Sequence, residues 1–195
     1  MWHYFDRRQS GITRVTGICG IFIPVVIFTC LSLSIASSSS FTWTQHALSD
    51  LGIQERTAMI FNYGMILGGI LVLIFSFGLR KIISNKLGAY LLALSSLALI
   101  GIGLFPETIF TLHFFTSASF FILLALALLI IGLTSKQNSF ERNIGVIALV
   151  LVLIAISSTV FLFHFDGVAI TEALSCFPAF IWCSIVGMKM TRVSV

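Results

Sequence analysis

One polar segment, SSSSFTWTQHALSDLGIQERT, contains the densest group of side chains in this chain that could do chemistry. It brings His46, Ser49 and Asp50 close together in sequence. A helix over Gln45–Leu51, capped by Thr44, would place these three side chains at i, i+3 and i+4 on one face. An imidazole, a hydroxyl and a carboxylate on one face could bind a metal ion or transfer protons.

Further polar side chains stand beside apolar runs later in the chain. They are Glu107, His113, His164, Asp166 and Glu172. Imidazole and carboxylate groups are the usual zinc ligands, and three protein ligands plus a water form a catalytic zinc site. The candidate zinc ligands are therefore His46, His113, His164 and Asp166.

The same group of residues supports other roles. Ser49, Asp50 and Glu107 are the candidate catalytic residues, with Asp50 or Glu107 accepting a proton from a zinc-bound water. A binding site without catalysis would use His46, Ser49, Asp50, Glu107 and Glu172. The same side chains could also be hydrated groups at the membrane interface. The spacing does not decide between these roles, because no HxxxH or HExxH pair fixes two ligands on one helix.

The composition is that of a membrane protein. Of 195 residues, 58% are hydrophobic and 9% are charged, whereas soluble domains contain about 25% charged residues. Spans of roughly 20 apolar residues cross the hydrocarbon core of a bilayer, and six stretches qualify: approximately 14–36, 58–79, 87–105, 110–133, 144–163 and 172–188. Their connections are too short for a soluble domain. We predict one all-α domain over residues 1–195, an antiparallel bundle of six transmembrane helices.

The basic residues predict how this bundle is oriented. Of the eleven Lys and Arg residues, only Arg56 falls in a loop on the side opposite the termini. The positive-inside rule therefore puts both termini in the cytoplasm and loop 37–57 outside the cell membrane. Since the calculated pI near 9.1 reflects this anchoring charge, we expect membrane lipid or a membrane-protein partner, and no nucleic acid.

The first span has a second interpretation, as a cleavable signal peptide. It follows basic residues and contains small residues near its end, as such peptides do. However, the apolar run from Val15 to Ala36 is longer than the roughly 7–15-residue apolar core of a signal peptide. We therefore favour a retained membrane span.

Small residues inside the spans predict how the helices pack. Gly64 and Gly68 have the GxxxG spacing, which allows two helices to approach closely, and we expect this contact within one chain. Pro178 should kink the sixth span. All four cysteines fall inside spans, where we expect them to pack as small apolar side chains.

Three features of the sequence resemble the "domain of unknown function 998" family of prokaryotic six-span membrane proteins. They are the segment Gln45–Gly52, the turn Gly103–Glu107 and the histidine His113. They match the family's H-x-x-S-D-L-G-like segment after the first span, its G-x-F-P turn after the third, and its histidine at the start of the fourth. The resemblance covers essentially the whole chain. It implies the six-span fold and importance for His46, Ser49, Asp50, Pro106 and His113, and it implies no activity.

The residue types are also similar to those of seven-span ceramidase-like membrane hydrolases, which place Ser, Asp and three His around a zinc ion. This chain has those residue types but lacks the seventh span and the paired HxxxH.

Two functions therefore follow as hypotheses. In the first, the polar residues bind a lipid headgroup or a membrane partner. In the second, they form a zinc-dependent intramembrane hydrolase that cleaves a lipid-like amide or ester. Since no spacing fixes two metal ligands on one helix, the sequence favours the first.

The topology can be tested by cysteine labelling. A cysteine at Ser39 should react with a membrane-impermeant thiol reagent on intact cells, because loop 37–57 is predicted to lie outside. A cysteine at Lys136 should react only after the cells are permeabilised. The reverse pattern would contradict the predicted orientation.

Overall fold

A computed structural model describes residues 2–135 and 138–192, with side chains from residue 11 onward. Within these residues the fold is helical. The α-helices are α1 (Trp2–Ser37), α2 (Ala58–Leu79), α3 (Lys86–Leu104), α4 (Phe110–Thr134), α5 (Ser139–Ser158) and α6 (Ala169–Arg192). Short 3₁₀ helices lie at Leu48–Gly52, Glu107–Ile109 and Thr159–Phe163.

Six helices in the described part of the chain are long and apolar enough to cross a membrane, which confirms the predicted all-α, six-span fold. The bounds of α2 coincide with the predicted span 58–79. Helices α1 and α6 run past their apolar stretches, because intrahelical hydrogen bonding continues into the polar flanks. The orientation in the membrane is still a prediction, and its probe position Lys136 lies outside the described residues.

The six helices form a closed ring in chain order. Each packs against the next, and α6 packs against α1. Because the helices are antiparallel and even in number, both chain ends lie at one end of the ring, which we call the terminal end. The opposite end carries the 38–57 connection, and we call it the loop end. The α5–α6 contact includes a hydrogen bond from the indole of Trp182 to the carbonyl of Ile144, 3.0 Å long.

Glycines allow the helices of the ring to approach closely. A Cβ at Gly64 would lie 2.5 Å from Cys30 Cβ, and one at Gly68 would lie 2.5 Å from Ile27 Cγ1. This confirms that the GxxxG pair packs α2 against α1 within one chain. At the contact that closes the ring, a Cβ on Gly187 would lie 2.5 Å from the carbonyl oxygen of Gly17.

A buried carboxylate connects two elements at the terminal end. Glu141, in the first turn of α5, is 1% exposed. It accepts hydrogen bonds from the backbone N–H and the hydroxyl of Ser84, and the hydroxyl lies 2.7 Å from Oε1. These bonds join the α2–α3 connection to α5 and compensate part of the cost of burying the charge.

Helix α5 ends at Ser158, earlier than the predicted span 144–163, and continues as a 3₁₀ helix. Hydroxyls at this point bond back to the helix: Ser158 Oγ donates to the carbonyl of Ala155 at 2.7 Å, and Thr159 Oγ1 to that of Ile156 at 2.7 Å. Such bonds compete with the regular α-helical pattern. The predicted apolar segment therefore ends where the sequence placed it, but its last residues form a 3₁₀ helix and not an α-helix.

The glycine contact between α1 and α6 predicts a stability effect. Gly187→Ala should lower the free energy of unfolding by about 1–3 kcal/mol, because the new methyl group meets backbone that cannot move away easily. Thermal unfolding in detergent measures this. Gly11→Ala is the matched control, because a Cβ there meets nothing within 4 Å. Equal melting temperatures for the two variants would contradict the close contact.

Candidate functional site

The polar segment after α1 forms a shorter helix than the sequence predicted. The predicted α-helix over Gln45–Leu51 with a Thr44 cap is wrong: a 3₁₀ helix, here called the loop helix, covers Leu48–Gly52. Asp50 Oδ2 accepts a hydrogen bond from the backbone N–H of Ala47 at 3.0 Å, and this bond stabilises the first turn. His46 precedes the helix, so it does not share a helical face with Ser49 and Asp50.

The loop helix docks on the start of α6. Glu172 Oε2 accepts a hydrogen bond from the backbone N–H of Leu48 at 2.6 Å. Just before it, the N–H of Ala169 donates to the carbonyl of His46 at 2.9 Å. Next to this bond, Gly167 lies so close to the backbone of His46 that any side chain there would clash. Side-chain and backbone bonds therefore hold the segment against α6.

The other side of the loop helix is held by α2. The hydroxyl of Thr57 donates to the carbonyl of Leu51 at 2.5 Å, and Asn62 Nδ2 donates to that of Gly52 at 3.0 Å. Leu51 is fully buried. The loop helix therefore covers the loop end of the ring. Its Leu51 side chain points inward, and the carbonyls of Leu51 and Gly52 both accept hydrogen bonds.

Docking the loop helix brings three carboxyl groups together. The 3₁₀ helices that carry Asp50 and Glu107 are in contact, and the carboxyl groups of Asp50, Glu107 and Glu172 interact electrostatically. Like charges this close repel, so a shared proton or a bound cation would stabilise the cluster. We call Asp50, Glu107 and Glu172 the carboxylate cluster.

Two buried oxygen atoms at this end have no hydrogen-bond partner among the described residues. They are Glu107 Oε2, in the carboxylate cluster, and Asn62 Oδ1, in the first turns of α2. Both residues contact the loop helix, Glu107 through Asp50 and Asn62 through Gly52. Both atoms are hydrogen-bond acceptors, and a buried acceptor without a donor is costly. Two acceptors at the loop end are therefore without a donor among the described residues.

The buried histidine His113 is bound within its own segment. Its Nδ1 lies 2.8 Å from the carbonyl oxygen of Phe105. Because a carbonyl only accepts, Nδ1 must carry the proton, and in the neutral ring Nε2 is then an acceptor. The hydroxyl of Ser117 lies 3.3 Å from Nε2 and can donate to it. His113 thus joins the turn after α3 to α4.

Two of the other candidate zinc ligands, His46 and His164, bond to neighbours in their own segments. His46 Nδ1 is 3.2 Å from the N–H of Thr42, and His164 Nδ1 is 2.9 Å from the carbonyl of Val160. His164 and Asp166 are exposed. Within residues 2–135 and 138–192, no three His, Cys, Asp or Glu side chains are grouped to hold a metal ion. Among these residues, neither the three imidazoles nor the three carboxyl groups form a metal site, although the carboxyl groups interact electrostatically.

A small cavity lies beneath the loop helix, inside the ring. Its volume is about 50 Å³, and its walls come from α1, α2, α3, α4 and α6. Ser49, Ser117 and Glu172 are polar groups in an otherwise apolar lining that includes Cys176. A water molecule needs about 10–15 Å³ of such cavity space, and ligand pockets are usually about 300–1,000 Å³. The cavity has room for a few waters but not for an acyl chain.

These contacts include residues that sequence reasoning missed. Asn62 and Ser117 were not among the candidate site residues. A signal for Asn62 was available, because an amide inside an apolar span is costly unless it is bonded. Ser117 follows His113 by one helical turn, which puts both on one face of α4.

The three sequence features that resemble a known family meet at the loop end, because the loop helix, the turn before Glu107 and His113 are in contact there. A family model described as "Protein of unknown function (DUF998)" matches residues 19–189. The chain belongs to the DUF998 family. No curated protein and no solved structure matches it. The matched range of this DUF998 chain contains the loop helix, the carboxylate cluster and His113.

Removing the Glu172 carboxylate should release the loop helix from α6. In Glu172→Ala the Leu48 N–H loses its acceptor, and a hydrogen bond to a charged group contributes about 1.5–3 kcal/mol. Hydrogen exchange of peptides covering 41–52 should become at least about tenfold faster. Glu172→Gln keeps an acceptor oxygen and should exchange more slowly than the alanine variant. Unchanged exchange in Glu172→Ala would show that other contacts hold the loop helix.

Proposed function

We propose that this DUF998 chain binds a membrane lipid whose headgroup carries a free ammonium group. The binding residues are those of the carboxylate cluster at the loop end. The observation that carries the proposal is the buried Glu107 Oε2, which has no hydrogen-bond partner among the described residues and stands beside two further carboxyl groups.

An ammonium group matches the chemistry of this end. It has three N–H donors, no acceptor and a positive charge. The unpartnered atoms Glu107 Oε2 and Asn62 Oδ1 are both acceptors, and the surrounding carboxyl groups repel one another. Charge-assisted hydrogen bonds to carboxylates are stronger than neutral ones. One ammonium group would therefore offset the repulsion and supply a donor to Glu107 Oε2.

The surroundings favour a lipid over a soluble amine. Phe110 and Phe114 begin α4, one and two turns after Glu107, and they are 68% and 57% exposed. Their rings stack with centroids 6.2 Å apart. This apolar surface suits the glycerol backbone and chains of a lipid. Because Glu107 Oε2 is buried, the headgroup would bond to it only after a local opening of the loop end. The cavity of about 50 Å³ is too small for a chain, so the chains would remain in the bilayer.

The test compares two zwitterionic lipids in nanodiscs. Phosphatidylethanolamine has an ammonium group with three N–H donors, whereas the quaternary ammonium of phosphatidylcholine has none. Native mass spectrometry should show phosphatidylethanolamine bound at least about tenfold more tightly, the effect of one charge-assisted hydrogen bond. Glu107→Gln should reduce this preference to less than about twofold.

Glu55→Gln is the matched control, because Glu55 is an exposed carboxylate in the same loop and its loss should leave the preference intact. Equal binding of the two lipids by the unmodified protein would refute the proposal. Stoichiometric zinc in the purified protein, lost in both His46→Ala and His113→Ala, would favour the hydrolase hypothesis instead.

A further inference from the structure

A separate cleft lies at the terminal end of the ring, between the start of α5 and the last turns of α6. Its volume is about 410 Å³, in the usual range for a ligand site. Its lining consists of Ile82, Asn138, Phe140, Lys189, Met190 and Arg192. The carboxylate cluster is at the opposite end of the ring, so the cleft is independent of the proposed function.

Two cations converge on this cleft. Lys189 and Arg192 are three residues apart on α6 and therefore share a face. Both are exposed, and among the described residues no carboxylate lines the cleft. The ammonium group of Lys189 lies 5.9 Å from the centre of the Phe140 ring, which holds it toward the cleft. The side chain of Asn138 adds an amide from the other side.

An apolar surface continues from the cations along the lipid-facing side of α6. Ile185 precedes Lys189 by one helical turn and is 40% exposed. Within the cleft, Ile82, Phe140 and Met190 form apolar walls. A ligand with a negatively charged head and an apolar tail would satisfy both parts of this surface.

We propose that the cleft binds the phosphate headgroup of an anionic phospholipid. Arg192 presents a planar fork of N–H groups that matches phosphate oxygens, and Lys189 adds a second positive charge. Basic pockets between transmembrane helices bind lipid headgroups in this way. The lipid chain then lies along Ile185. The shared chemistry is phosphate, and the apolar walls favour the lipid over free phosphate.

Native mass spectrometry of the full chain in detergent, with phosphatidylglycerol or phosphatidylcholine added, tests this proposal. Phosphatidylglycerol should bind at least about tenfold more tightly than phosphatidylcholine. The double variant Lys189→Gln/Arg192→Gln should bind the two lipids within about twofold of each other, and Arg192→Gln alone should lie between. If the double variant does not fold, the single variant provides the same comparison.

The matched control is Lys86→Gln/Arg142→Gln, which removes two exposed cations from the same end but outside the cleft. This control should keep the phosphatidylglycerol preference. Glu107→Gln should keep it too, and this outcome would distinguish the cleft from the site of the proposed function. Loss of the preference in the Lys86/Arg142 variant would overturn the proposal, because general surface charge would then explain it. Inorganic phosphate that competes at the same concentration as the lipid would overturn the assignment to a lipid.

Discussion

The docking of the loop helix onto α6 determines where Ser49 and Asp50 lie relative to Glu172. Its central contact is the hydrogen bond from the Leu48 N–H to Glu172 Oε2, 2.6 Å long. With Leu48 bonded to the first turn of α6, Leu51 is buried in the ring and Asp50 reaches Glu107. Both the carboxylate cluster and the cavity beneath the loop helix include residues that this attachment joins.

The same contact explains how a repulsive cluster persists in the folded protein. Three neighbouring carboxyl groups disfavour the arrangement that brings them together. Hydrogen bonds to the backbone of the segment oppose this repulsion. Thr57 and Asn62 donate them from their side chains and Ala169 from its N–H, at three separate points. The fold therefore maintains an electrostatically unfavourable group of acceptors, and such groups are often binding sites for protons or cations.

The carboxylates at the two ends of the ring differ in their hydrogen bonding. At the terminal end, Glu141 is almost fully buried, and the N–H and hydroxyl of Ser84 both donate to it. At the loop end, Glu107 is partly buried and one of its oxygens has no partner in the described part of the chain. Glu141 thus contributes to holding the helices together, whereas Glu107 is the residue that we propose accepts a donor from a lipid headgroup.

The sequence alone determined the six spans, because hydrophobicity and the thickness of a bilayer constrain segments one at a time. The bounds of α2 and the GxxxG contact followed from local composition in the same way. Only the tertiary structure decided which polar residues meet. Glu172 and Leu48 are 124 positions apart in the chain, and no local pattern in either segment indicates the other. From the sequence, His46, His113 and His164 were expected to share one site, because imidazoles are common metal ligands. In the structure each of these imidazoles bonds within its own segment. The closed ring of helices instead places three carboxyl groups where they interact electrostatically.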